Sequence, residues 1–229
     1  MVTFVPFRAT RVLLALGSLL AVSLPTSAFA QAAPVCGADI KEEVFNALSA
    51  VQGDEAALLS LEKELYAKYQ YCVPAGQSVP AALAAAAREC GASVSNLGSI
   101  FFEQISCAGY DPQRRQFAVP VTIKQVTGYG AAQLPGSREY VLNCVADAGG
   151  ILRPVGRDSV HLANALFNQP PTWQFAVIAS ANQNLQLVQP MNGATRRART
   201  ILSWGFQPPD CAFVPIWGNA VNYRIRLDQ

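Results

Sequence analysis

Apolar positions follow two different rhythms along this chain, and the rhythm changes near Asp111-Pro112. Before that point they recur every three to four residues. Ile40, Val44, Leu48 and Val51 form one stripe of a helix predicted over residues 37–50. Leu58, Leu61, Leu65, Tyr69 and Cys72 form the seam of a second, over residues 55–72. Gly53-Asp54 ends the first and caps the second. So short a connection sets the two antiparallel, as a helical hairpin. Ser78 and Pro80 open a third helix over 81–90, which stops at Gly91. Leu97, Phe101 and Ile105, four apart, predict a fourth over 95–107.

Past Asp111-Pro112 the runs are short, β-branched and separated by turn residues. Strands are predicted at 117–124, 139–145, 151–155, 174–180, 185–189 and 221–227. The segments 146–150 and 181–184 read as hairpin connections. Helices fit at 159–168 and 194–204. The order strand, strand, helix thus occurs twice before a last strand. The fold class is α+β: a helical region over 31–110, made of N-terminal helical hairpins, packs with a C-terminal antiparallel sheet over 111–229 that carries one or two helices.

The first thirty residues read as an address. Arg8 and Arg11 precede an apolar run over 12–24, and Ala28-Phe29-Ala30 closes it with small residues either side. A spanning helix needs about 20 apolar residues, so the run fits a cleaved signal peptide better than an anchor. No later stretch approaches membrane length. The expectation is an exported mature chain from Gln31, periplasmic or secreted, with no span after cleavage. The Ala/Arg-rich composition points to a bacterium with GC-rich DNA.

Export gives the cysteines their meaning. All six, Cys36, Cys72, Cys90, Cys107, Cys144 and Cys211, lie past the leader. An even number in an oxidising compartment reads as three disulfides, with fifteen possible connectivities. Cys36–Cys72 is favoured because both lie at the open end of the predicted hairpin. Cys90–Cys107 and Cys144–Cys211 are choices that keep each bridge within its half. No C-x-x-C pair exists and the chain has one histidine, which leaves no metal-ligand set and no haem attachment. Hydrophobic residues make up 51% and charged residues 14%, which excludes a disordered polyelectrolyte. Without its leader the chain carries 15 positive and 15 negative side chains, so nucleic acid is not an expected partner. The charge is uneven: residues 31–107 hold four basic and nine acidic groups, and residues 108–229 hold eleven and six.

The stretch 175–180, a turn at 181–184, a strand at 185–189, a helix ending in Trp204-Gly205-Phe206-Gln207-Pro208 and a last strand at 221–227 resemble the C-terminal domain of TonB-type energy transducers. The likeness covers about residues 175–227. It implies a small strand–strand–helix–strand sheet with an edge able to accept a strand from a peptide partner.

Candidate chemistry is sparse. His161 follows Asp158 and Ser159 too closely in sequence for a triad, and no G-x-S-x-G elbow exists. Glu103, Asp111, Glu139 and Asp147 are available as acids for glycoside-type hydrolysis, but no spacing singles out a pair. There is no phosphate-binding loop, dinucleotide fingerprint or H-E-x-x-H, so no cofactor is expected. The most distinctive polar set is Arg196, Arg197 and Arg199 on the predicted helix, with Arg224 and Arg226 on the last strand and Trp204 and Trp217 beside them. Such a set suits an anionic ligand. The expected function is a non-enzymatic binding module of the cell envelope, whose partner is a protein or an anionic envelope component. The alternative is a small secreted hydrolase whose carboxylates the fold brings together.

Overall fold

A computed structural model describes residues 38–72, 78–95, 97–131, 135–164, 173–181 and 193–227. Three α-helices and nine strands occur among the described residues, so the fold is mixed α+β and mostly β. The helices are α1 (Ala38–Ala50), α2 (Glu55–Tyr69) and α3 (Ala81–Glu89). Asp54 caps α2, its carboxylate accepting the Ala57 N–H at 3.0 Å. Glu43 on α1 pairs with Lys68 on α2 at 2.8 Å, an exposed contact of little energetic weight. The Tyr66 hydroxyl of α2 donates to the Val214 carbonyl at 2.8 Å, and its ring lies against Phe206 and Phe213.

The strands are β1 (Ser93–Ser95), β2 (Glu103–Ile105), β3 (Gly109–Asp111), β4 (Gln116–Ile123), β5 (Ser137–Ala146), β6 (Leu152–Leu162), β7 (Trp173–Ser180), β8 (Arg196–Trp204) and β9 (Ala220–Ile225). Five form an antiparallel sheet in the order β1-β9-β8-β5-β6. In the second sheet β4 pairs with β7 along its whole length and, on its other edge, with β3 and then β2. These two short partners leave Val119 and Pro120 unmatched between them. That break suits a residue that has no N–H to donate.

Along β4 the side chains of Phe117, Val119, Val121 and Ile123 are all buried, the period of two that a half-covered strand requires. They share one core with Leu142 and Cys144 of β5 and with Ile201 and Leu202 of β8.

Three predicted helices are not helical over their described residues. Residues 95–107 hold the end of β1 and all of β2, and the chain between them is tied to the 216–219 segment. Ser99 N–H donates to the Ile216 carbonyl at 2.8 Å, and Gly218 N–H to the Ser99 carbonyl at 2.9 Å. Asn219 clasps Ile105 twice, its Oδ1 accepting that N–H and its Nδ2 donating to that carbonyl, both at 2.9 Å. Gly98 permits the approach, since a Cβ there would collide with the Pro215 and Ile216 carbonyls. Residues 159–162 continue β6, and 165–168 of that predicted helix lie outside the described residues. Residues 196–204 are β8, an interior strand between β9 and β5. The expected helical region 31–110 therefore contains β1, β2 and part of β3. The predicted strand at 185–189 and most of the turn at 181–184 lie outside the described residues, as do residues 1–30.

Two bridges are present among the described residues. Cys90–Cys107 spans a Cα separation of 5.7 Å and Cys144–Cys211 one of 6.1 Å. Cys36, and with it the Cys36–Cys72 pairing, lies outside the described residues.

Candidate functional site

The arginines lie on strands. Alternation along β8 puts Arg197 and Arg199 on one face and Arg196 on the other. Arg197 stands directly opposite Arg224 of β9, and Arg199 opposite Asn222. These four side chains line a groove of about 410 Å³ whose other wall includes Gly91, Ala92 and Ser93, the turn from α3 into β1. Arg197 and Arg224 are exposed, and Arg199 is half-buried.

Each arginine is oriented by the protein. Arg199 Nε donates to Asn222 Oδ1 at 2.7 Å and its Nη1 to the Cys211 carbonyl at 2.9 Å. The Cys144–Cys211 bridge thus carries the carbonyl that holds Arg199. Arg197 Nη2 donates to the Gly150 carbonyl in the turn between β5 and β6. Arg224 Nη1 donates to Thr195 Oγ1 at 3.3 Å. Burial first, and the neighbouring Arg197 charge second, hold the Arg199 guanidinium below the usual arginine pKa. Among the described residues no carboxylate pairs with Arg197, Arg199 or Arg224.

The rest of the predicted set divides. Arg196 reaches the end of β5 on the opposite face, its Nη1 donating to the Ala146 carbonyl at 3.2 Å. Arg226 is exposed just past β9. Trp204 and Trp217, expected beside the arginines, are core residues 1% and 0% exposed, edge to face with centroids 5.2 Å apart. Trp204 projects from β8 on the face opposite Arg197 and Arg199.

His161 has both ring nitrogens occupied. The guanidinium of Arg138 donates to Nε2 at 3.1–3.2 Å, and Nδ1 lies 3.0 Å from the Pro135 carbonyl. Arginine only donates and a carbonyl only accepts, which assigns the proton to Nδ1. Its Nε2 lone pair is spoken for, so His161 is a strand-to-loop tie. A small cleft of about 80 Å³ beside it is lined by Phe45, Leu48, Tyr140 and Glu62. Glu62 accepts from the Tyr140 hydroxyl at 3.0 Å and from the Gln207 N–H at 3.1 Å.

Of the four candidate acids, the fold brings two together. Glu103 and Glu139 are both 0% exposed and lie with Lys41, itself 1% exposed. Lys41 Nζ is 3.0 Å from Glu103 Oε2 and faces the rings of Phe102, Trp204 and Tyr129 at 4.1, 4.5 and 4.8 Å. Burial pushes both carboxyls above the usual range, and in Glu139 the Glu103 charge adds to it. Burial likewise lowers Lys41, against the pull of both acids. Sequence reasoning did not single out Lys41. The other two acids, Asp111 and Asp147, pair locally with Arg114 at 2.8 Å and Arg153 at 3.0 Å. A hydrolase needs its acids where substrate reaches them; Glu103 and Glu139 are sealed. Among the described residues no cluster of histidine, cysteine and carboxylate side chains is arranged to hold a metal. No protein-family model matches this chain, and no curated protein matches it in sequence.

Proposed function

We propose that this protein is an exported, disulfide-stabilised binding module of the cell envelope. Its ligand is an anionic group, borne by a partner protein or an envelope component, held in the groove lined by Arg197, Arg199 and Arg224. The observation that carries the reading is the cross-strand pair. Arg197 and Arg224 face each other directly across β8 and β9, with Arg199 one pleat away. Like charges opposite each other destabilise a sheet, and an anion between them turns that repulsion into attraction. Guanidinium forks suit carboxylates and phosphates, which they bind in bidentate fashion. In this reading the antiparallel α1–α2 pair braces the sheet and takes no part in binding.

Export is supported by the disulfides. Disulfides form and persist in oxidising compartments, and the described residues contain two. No helix among them is long and apolar enough to cross a membrane.

Calorimetric titration with a poly-glutamate peptide, and separately with inorganic phosphate, tests the reading. Wild-type binding is expected to weaken as salt rises, because exposed charges are screened beyond about 8–10 Å at physiological ionic strength. The triple variant R197Q/R199Q/R224Q is expected to lose binding while keeping its circular dichroism spectrum. Absence of wild-type binding to both probes, or equal binding by the triple variant, overturns it. Binding indifferent to both salt and these arginines is the signature of strand addition at a sheet edge.

A further inference from the structure

Three ionisable side chains from three elements meet in the interior. Lys41 comes from α1, Glu103 from β2 in one sheet and Glu139 from β5 in the other. All three are sealed from solvent, and three aromatic rings wall the amine. The nitrogen lies 3.0 Å from one Glu103 oxygen, so the carboxyl carbon is one bond further on. Glu103 Oε1 and both oxygens of Glu139 have no hydrogen-bond partner among the described residues.

We propose that Lys41 and Glu103 condense into an intramolecular amide, with Glu139 moving the protons. The starting state holds ammonium, carboxylate and one protonated acid at Glu139. One proton passes from Lys41 Nζ to the Glu103 carboxylate, leaving a neutral amine and a neutral acid. Nζ then adds to Glu103 Cδ. Glu139, which makes no hydrogen bond in the starting state, turns its carboxyl onto the pair, gives its proton to the departing hydroxyl and takes one from the nitrogen. The Cδ–O bond breaks, the Nζ–Cδ bond is made, and one water leaves. Glu139 ends as it began, and nothing is oxidised or reduced.

Four features favour the step. Held reactants have a large effective concentration, provided the reacting atoms are close. Burial favours the neutral amine and neutral acids that the step needs, the direction in which all three groups are displaced. A dry site does not return the water that condensation releases. The product replaces two buried charges, which are costly to desolvate, by a neutral amide whose N–H and carbonyl supply partners for the unpaired oxygens of Glu139. The link ties α1 to the second sheet across 62 residues of sequence. It is independent of the basic groove, since no groove residue takes part.

The test is the mass of the full chain as purified, reduced, alkylated and denatured. The expected mass is one water below that calculated for the purified chain, from its observed N-terminus and with every cysteine alkylated. Tandem mass spectrometry should then find a branched peptide joining the Lys41 segment to the Glu103 segment. E139Q, folded by circular dichroism, is expected to show the full mass. A wild-type chain of full mass overturns the proposal, as does water loss mapped to any other pair. Linkage in E139Q equal to wild type overturns the role of Glu139. The wild-type peptide map decides the amide by itself should E139Q fail to fold.

Discussion

Glu62 shows how one buried carboxyl makes stability depend on pH. It is 5% exposed, and burial outweighs the Gln207 N–H, the Tyr140 hydroxyl and the Arg138 charge, so its pKa is raised above 4.5. The folded chain therefore keeps a proton that the unfolded chain has lost, and this contribution to stability falls as pH rises above about 4.5. Glu62→Gln keeps an acceptor oxygen and removes the titration. Urea midpoints at about pH 4 and pH 7 should show the variant gaining on wild type as pH rises; a constant difference would disprove the shift. The residues of the buried trio left a trace in the sequence of the same kind. Lys41 precedes Val44, Phe45 and Leu48 by three, four and seven residues, in the phase of the helix's apolar stripe. Glu139 alternates with Val141, and Glu103 with Ile105, each a core residue of its strand. A charge in core phase was legible at Lys41 and Glu139, but not at Glu103, because 95–107 reads as a helix, in which positions two apart do not share a face. What sequence alone withheld was the meeting of the three, which depends on how the sheets lie on α1.

At the scale of elements, one side chain reinforces the turn between β5 and β6, which two backbone hydrogen bonds, Asp147 N–H to the Ile151 carbonyl and Gly150 N–H to the Asp147 carbonyl, also close. Asp147 Oδ1 accepts the Ile151 N–H at 2.9 Å, and Oδ2 accepts from Arg153 Nε at 3.0 Å. These bonds, the Ile151 N–H foremost, hold the carboxyl below its ordinary pKa of 3.8. Its support is present above that value and lost as pH falls through the depressed one. Asp147→Ala is expected to speed hydrogen exchange at the Ile151 amide and to loosen Arg197, which is held by Gly150 in the same turn. Unchanged exchange would show that the turn closes without it. This hairpin was readable because Gly149-Gly150 interrupts two β-rich runs. β4 was readable because only one of its faces is buried. β8 was not, since from Thr200 to Trp204 every side chain is buried and the period of two vanishes. A strand covered on both faces has the apolar content of a buried helix segment. The error moved Arg196 onto the wrong face and Trp204 out of the core. Over 95–107 the helical spacing was real, but the Asn219 clasp and the Gly98 approach, both long-range, prevailed.

For the molecule as a whole, the Cys144–Cys211 bridge couples stability to the groove. It closes 67 residues of sequence separation, a loop for which chain entropy alone gives about 4 kcal/mol. The same bridge fixes the Cys211 carbonyl that orients Arg199. The C144A/C211A variant is expected to lose about 2–5 kcal/mol in urea denaturation and also to bind poly-glutamate more weakly in conditions where it remains folded. Full stability would show that the bridge restricts nothing, and full binding would separate it from Arg199. The pairing order of the described bridges has a further consequence for how the molecule is made. Cys90 joins the next cysteine in sequence, Cys107, and Cys144 joins the next, Cys211. Neither loop encloses or interleaves with the other. A chain entering an oxidising compartment N-terminus first presents its thiols in that order, and each of these bonds forms between the newest thiol and the one before it. For these two bridges no wrong partner has to be undone, so an oxidase is expected to suffice for them without an isomerase. Expression in an export host that lacks a disulfide isomerase should give the same two bridges by non-reducing peptide mapping, whereas scrambled peptides from that host would mean that the chain waits to be complete before it oxidises.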